Sequence, residues 1–218
     1  MTIPIFSHTD LSSLSERTKR HLESITKSTK VPKGEQFLWE GDEVEKIYFI
    51  IRGYAKIYHF SDDGREQILA ILDSGQWINT IPALRGEQGN HANGVAMTEM
   101  ELGVMAARDF LDAIREFSDF ALLILHDVAD KLDHMTNLVA ELSLYTTRQR
   151  LIHFLLEHCK DKNTIHGWTQ EEIASQVGTV RDVVSRLLGL FARQGYIRVE
   201  RQRIIVLDEA SLRNALNE

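Results

Sequence analysis

The apolar pattern of this chain passes from short β-rich runs to helical spacing near Arg108, and that change limits the fold more than any other feature. Between Val31 and Ala106 the pattern is short and β-rich. Runs such as Lys46-Ile-Tyr-Phe-Ile-Ile51 and Tyr54-Ala-Lys-Ile-Tyr58 are cut by glycines at 34, 41, 53, 64 and 75. Closely spaced strands with turn pairs such as Gly41-Asp42 and Asp63-Gly64 indicate an antiparallel barrel or sandwich, with further strands expected at 91–97 and 100–106. No helical pattern alternates with these strands, so a parallel α/β sheet does not fit. Leu11, Leu14, Leu22 and Ile25 predict a short helix ahead of them, over 11–25.

Beyond Arg108 the pattern is helical, and one long helix is predicted from about Asp119 to about Leu144. Along it Leu125, Val128, Leu132, Met135, Val139 and Leu142 recur in alternating steps of three and four, flanked by Asp127, Asp130, Lys131, Asp133 and Glu141. A helix lying on its own barrel needs a broad apolar stripe, whereas a narrow seam suits a two-stranded coiled coil. These six residues are therefore the expected homodimer interface. The seam stops near Tyr145-Thr146-Thr147, where Thr146 or Thr147 is placed to cap a new helix. The expected domains are 1–118, a dimerisation helix and hinge at 119–145, and a C-terminal domain at 146–218.

The formal charge is −7, which taken alone argues against nucleic acid. Its distribution points the other way. Arg148 to Val206 holds 10 Lys and Arg against 6 Asp and Glu, whereas residues 1–147 hold 14 against 23. A basic segment on an acidic body is the pattern of a nucleic-acid module joined to a non-binding domain. The single cysteine, Cys159, lies in an apolar helical pattern and reads as buried filler, so neither an internal disulfide nor a four-cysteine iron–sulfur or zinc site is expected. With no apolar run of membrane-spanning length and no leader pattern in Met1–Asp10, the expected location is the cytoplasm, away from membranes.

The most informative stretch is Trp168 to Leu188. Thr169 and Glu172 have the spacing of a capping box, Ile173, Ala174 and Val177 give the following short helix an apolar face, and Gly178 supplies a turn. A second helix would bury Val183, Val184, Leu187 and Leu188 and expose Arg181, Asp182, Ser185 and Arg186. Two short helices around a glycine turn make a helix-turn-helix, whose second helix enters the major groove of double-stranded DNA. The exposed set suits that role: arginine can fork onto guanine, a carboxylate can accept from cytosine, and serine suits bases or phosphates. Gly195-Tyr-Ile-Arg198 and Arg203-Ile-Ile-Val206 predict a wing that carries Arg198, Arg201 and Arg203 beside phosphates. Thr169 and Thr179 complete the candidate DNA-contact set.

From about Leu11 to about Asp208 the chain resembles the CRP/FNR family of bacterial regulators. The resemblance rests on Lys33-Gly34, Glu40-Gly41-Asp42, Gly53, Asp63-Gly64-Arg65-Glu66, Gly75, the long helix, Thr169 to Arg186, and Gly195-Tyr-Ile197 in this order. It implies an α+β fold: an N-terminal antiparallel, jelly-roll-like β-roll of the cyclic-nucleotide-binding type, a central dimerisation helix and a C-terminal winged helix-turn-helix. It further implies a palindromic DNA site read by Arg181, Asp182, Ser185 and Arg186, with RNA polymerase as a partner. Many members carry glutamate at the position of Asp182, so their base preference does not transfer directly.

Members that bind cyclic AMP hold its ribose with a Gly-Glu glutamate and its phosphate with an Arg-Ser or Arg-Thr arginine. Here Gln76 replaces the acid, Asn90-His91 or His91-Ala92 stands in place of the arginine pair, and Arg85 occupies a different place in the loop. A buried phosphate without its charge partner is costly, so cyclic AMP is not expected. Haem sensing stays open through His91, His126, His134 or Met135. The expected effector is an apolar or weakly polar small molecule near Gln76, Trp77, Asn79, His91 and Asn93 of the β-roll and His134 and Asn137 of the long helix. A regulator with a vestigial pocket is the remaining variant. An enzyme reading fares worse: His59 and His91 are far apart in sequence, there is no His-x-His pair, and no nucleophile motif is present, so no metal site is expected.

Overall fold

The computed structural model describes residues 11, 13–159, 163–201 and 203–216. Met1–Asp10, where the sequence shows no leader pattern, lies outside the described residues. The chain divides into two compact units, one of residues 1–59 and 69–135, the other of residues 60–68 and 136–218.

Helix α1 (Glu16–Ile25) precedes strands β1 (Lys27–Val31), β2 (Gln36–Leu38), β3 (Lys46–Arg52), β4 (Ala55–Phe60), β5 (Glu66–Leu72) and β6 (Trp77–Ile78), all in the first unit apart from residues 60 and 66–68. A short helix α2 (Thr80–Arg85), strands β7 (Asn93–Ala96) and β8 (Met100–Ala106), helix α3 (Ala107–Glu116) and the long helix α4 (Ser118–Leu144) follow. Two four-stranded sheets run β1-β8-β3-β6 and β2-β7-β4-β5, and the named pairings are antiparallel. This is the expected β-roll.

Strand β3 shows why the roll holds together. Its run Ile47-Tyr-Phe-Ile-Ile51 lacks polar alternation because both of its faces are covered. Ile47, Phe49 and Ile51 pack with Trp77, Phe110, Phe120 and Ile124, while Ile50 packs with Leu38, Leu72 and Leu102. With side chains alternating at period two, one strand serves two cores. The Trp77 ring stands 4.8 Å from Phe49 and 5.6 Å from Phe120, and Phe120 meets Phe110 edge-on at 5.8 Å. At Gly53 a side chain has no room: φ is +99°, and an added Cβ would lie 2.7 Å from the Glu99 carbonyl oxygen.

The N-terminal helix is tied down by one carboxylate. Asp119, in the first turn of α4, accepts from the Ser15 backbone at 2.8 Å, from Thr18 Oγ1 at 2.8 Å and from the Phe120 backbone at 2.9 Å. Burial raises the pKa of this carboxyl, but the bonds from Ser15, Thr18 and Phe120 together outweigh it, so it sits below the usual carboxylate range.

The second unit carries the last nine residues of α4, then helix α5 (Thr147–His158) and strand β9 (Thr164–His166). Helices α6 (Gln170–Val177) and α7 (Arg181–Arg193), strands β10 (Ile197–Glu200) and β11 (Arg203–Val206) and helix α8 (Glu209–Asn214) complete it. The three strands form a sheet in the order β10-β11-β9, so the predicted wing hairpin exists and gains a third strand. Leu151, Leu155, Ile173, Ala174, Val184, Leu188 and Phe191 form its core, in which Cys159 is also buried. Burial pushes the Cys159 thiol above its ordinary pKa, which suits inert filler. Among the described residues, no helix is long and apolar enough to cross a membrane.

Replacing Asp119 by Asn removes acceptor charge that stabilises the fold above the unfolded carboxyl pKa of about 4. The variant should lose about 1 kcal/mol at pH 7. Because the folded pKa is lowered, the gap from the parent should close as pH falls through it. Thermal melts at pH 7 and pH 3 check both points.

Candidate nucleic-acid interface and effector cavity

The helix-turn-helix is built from local rules. Thr169 caps α6, its hydroxyl accepting from the Glu172 backbone at 3.1 Å while the Glu172 carboxylate accepts from the Thr169 backbone at 2.8 Å. Gly178 ends the helix in the left-handed region at φ +67°, its N–H bonded to Ala174 O. Ala174 is 1% exposed at the place where α6 meets α7. On α7, Val184 and Leu188 are buried, whereas Arg181, Asp182, Ser185 and Arg186 are all exposed. Arg186 Nε donates to Asp182 O at 3.3 Å, which holds its side chain back along the helix.

The other candidates are placed less freely. Thr169 spends its hydroxyl on the cap and on Glu172 Oε2. Thr179 is half-buried and its backbone N–H bonds to Ala174 O. On the wing, Arg198 and Arg203 share one carboxylate, Glu200: Arg203 Nε lies 2.6 Å from it and Arg198 Nη1 3.7 Å. Arg201 is exposed at the hairpin turn. Each wing arginine thus keeps part of its charge for an outside anion.

Along α4, Leu125, Leu132 and Val139 are 62%, 66% and 63% exposed, and Leu142 is exposed at 37%. Val128 and Met135 are half-buried. Such exposure is unusual for a regular series of large aliphatic side chains on one helix.

The first unit holds a partly open cavity of about 1130 Å³, walled mainly by aliphatic side chains such as Leu38, Ile57, Leu69, Leu72 and Leu123. Gln76, Trp77, Asn79, His91 and His134 line it, as the sequence suggested. Asn93 and Asn137 are not part of the lining. Asn93 Oδ1 accepts from Gln36 Nε2 at 3.0 Å and from the Glu40 backbone at 3.1 Å, whereas Asn137 is exposed beyond Met135, where the lining of α4 ends. Several lining residues are already engaged. Gln76 Oε1 accepts from the Asp73 backbone at 2.8 Å, Asn79 Nδ2 donates to Lys46 O and Asn90 Oδ1, and Trp77 stacks into the aromatic core. His134 Nε2 bonds Leu69 O at 2.8 Å, His91 pairs with Glu87, and His59 Nδ1 pairs with Glu40 at 2.8 Å.

One polar group in the wall escaped the sequence reading. Lys131 pairs with Asp127 and donates to Thr80 Oγ1 at 3.0 Å, and all three residues line the cavity. Burial lowers the Lys131 pKa while Asp127 opposes the shift. The i, i+4 spacing looks like a solvated helix pair; only the fold places it against Thr80. Among the described residues no arginine lines the cavity, and Arg85 is exposed and paired with Glu87 at 2.7 Å. Among the described residues, no three His, Cys, Asp or Glu side chains converge as a metal site.

A cyclic nucleotide-binding domain model matches residues 28–117, and a Crp-like helix-turn-helix domain model matches residues 149–215. The chain is 27% identical over 179 residues to the cAMP-activated global transcriptional regulator Vfr of Pseudomonas aeruginosa, covering 78% of this chain and 84% of the relative. A putative CRP/FNR-family regulator from Eubacterium rectale superposes with a TM-score of 0.81 at 21% identity, over 97% of this chain and 99% of that one. The c-di-GMP-responsive regulator CLP of Xanthomonas campestris superposes at 0.80 with 18% identity, over 88% of this chain and 99% of that one.

At Gly178 a methyl group would stand 2.6 Å from Leu142 Cδ2, on a backbone that L residues adopt poorly. Gly178→Ala should therefore destabilise the second unit by at least about 1 kcal/mol. Chemical denaturation would measure it, and an unchanged midpoint would contradict the tight turn.

Proposed function

The chain belongs to the CRP/FNR family of transcriptional regulators, and on that premise we propose that it acts as a homodimer on an inverted-repeat DNA site, under control of a small effector in the β-roll. The observation that carries the DNA reading is the face of α7. Two arginines, an acid and a serine stand exposed on the helix that follows a left-handed glycine turn. Their donors and acceptors match the edges of guanine and cytosine in the major groove. Arg186 is assigned to base reading, because Asp182 and Ser185 share its side of the helix. Arg181, nearer the helix start, reaches either a base or the backbone. Arg198 and Arg203 are assigned to phosphates, tempered by Glu200.

Dimerisation is proposed through Leu125, Val128, Leu132, Met135, Val139 and Leu142. The exposed aliphatic series is what a second copy of the helix would cover, and a two-fold dimer presents its recognition helices to half-sites about one helical turn apart. Recruitment of RNA polymerase and a cytoplasmic location fit such a regulator.

The effector is proposed to be an apolar or weakly polar small molecule. Relatives of this fold are named for different effectors, cyclic AMP in one and c-di-GMP in another, so the fold does not choose the ligand. What supports an apolar or weakly polar ligand is the wall, which is mostly aliphatic and in which Lys131 is held by Asp127. Asn90 cannot replace the missing arginine, because its amide is spent on Trp39 O at 3.1 Å and on Asn79. Cyclic AMP is therefore not the proposed ligand. Haem is the weaker alternative, since three of the four lining imidazoles already have partners.

Selection of random duplexes by purified protein, at stated salt, should return an inverted repeat. Arg186→Ala should then cost about 1–3 kcal/mol and relax preference at one base pair per half-site. Selected sites without inverted symmetry, or an unchanged preference in the variant, would overturn the assignment. Placing glutamate at both Leu132 and Val139 should yield monomers in sedimentation velocity, and an unchanged dimer would move the interface elsewhere.

A further inference from the structure

Arg150 lies in the first turn of α5, where a cation gains nothing from its own helix, because the backbone N–H groups there already make the end positive. Its guanidinium turns away, toward carbonyl groups of two other helix ends. Nη1 donates to Tyr145 O at 2.7 Å and reaches Leu142 O at 3.5 Å, at the C-terminal end of α4. Nε donates to Val177 O at 2.7 Å and Nη2 to Gly178 O at 3.3 Å, at the C-terminal end of α6. Nη2 also reaches Thr147 Oγ1 at 3.4 Å. Helix C-termini carry unpaired carbonyls and partial negative charge, so one planar cation neutralises and joins both.

The joint is closed from other sides as well. Leu142 Cδ2 fills the space beside Gly178 that a methyl group would need. Across the α4–α5 corner, Glu141 accepts from His153 Nδ1 at 2.9 Å, and the Tyr145 ring lies 4.8 Å from the His153 ring. The end of the seam helix and the glycine turn ahead of α7 are thus fastened at one side chain.

We propose that Arg150 is the residue that sets the spacing between DNA half-sites, by fixing the recognition turn to the end of the dimerisation helix. It touches no base in this role; it is a positioning residue for both copies of α7. The inference rests on the proposed dimer and its inverted-repeat site. Adding one base pair between half-sites moves one by about 3.4 Å and turns it by about 35°. A fastened joint resists that displacement, whereas a loosened one follows it. Lysine offers a point charge with no planar fork, so it can hold one helix end but not both in the same geometry.

The experiment measures binding of the full chain to the selected inverted repeat and to versions with the spacer lengthened or shortened by one and two base pairs. The parent, Arg150→Lys and Arg150→Gln are compared, with a mutated half-site duplex as the sequence control. The parent should prefer one spacer by tenfold or more, about the effect of one wrong base pair. Arg150→Gln should bring all spacers to within about threefold while keeping the parent's penalty for the mutated half-site, and Arg150→Lys should fall between them. If the variants keep the parent's spacing preference, the inference is overturned. It is overturned equally if spacing and half-site preference vanish together, or if both variants are unfolded by circular dichroism, since Arg150 would then only hold the fold. A parent that selects no inverted repeat at all defeats the underlying dimer reading instead, so the two failures are distinguishable.

Discussion

The proposed assembly depends on one feature, an exposed aliphatic stripe on a 27-residue helix that is stabilised by leaving water. Leu125, Leu132 and Val139 each expose more than three-fifths of their surface. Burying a leucine side chain releases about 1.5–3 kcal/mol, so a few such residues on each of two helices favour association. An isologous pairing gives the assembly a two-fold axis, and a two-fold protein is suited to a two-fold DNA site. The proposed interface and the proposed DNA symmetry would therefore be one consequence of one seam.

The same helix meets each function in turn. Its early part walls the cavity of the first unit, where Asp127 and Lys131 join Thr80 at the start of the short helix after β6. Thr80 thus ties this short helix to a half-buried ion pair of α4. Asn79, just before Thr80, has φ +71° and is held there by Lys46 O and Asn90. Asparagine adopts the left-handed region more readily than other side-chain-bearing residues, so the turn into the short helix is set there. The late part of α4 ends at the Arg150 joint. In the proposed reading, sensing, pairing and DNA reading are thus distributed along one continuous element.

Much of this was legible in the residues. The period change, the glycine turn, the capping box at Thr169 and the alternating seam are local patterns, and local patterns survive in sequence. What was hidden depends on tertiary contact. Helix α2 lies between Gly75 and Gly86 and carries Pro82, so it reads as a loop, although proline is tolerated in a first helical turn. Strand β9 is three residues long and exists because β11 pairs with it. Trp77 lines the cavity, but its ring also belongs to an aromatic core that only the packing of α3 and α4 assembles. Asn93 lies outside the lining because its side chain is spent joining β7 to the end of β2. Lys131 and Asp127 looked like flanking charge, and Arg150 like one more basic residue of a basic segment. Carbonyl partners leave no mark in a sequence, so the joint could not be read there.

The central claim, that two copies of this chain read one DNA site together, is tested most directly by stoichiometric titration of the purified protein into its selected duplex across a range of salt. Two chains per duplex, bound together, with log K falling linearly in log salt and a much weaker complex on scrambled DNA, is the predicted result. One chain per duplex, or equal affinity for selected and scrambled DNA at every salt concentration, would contradict it.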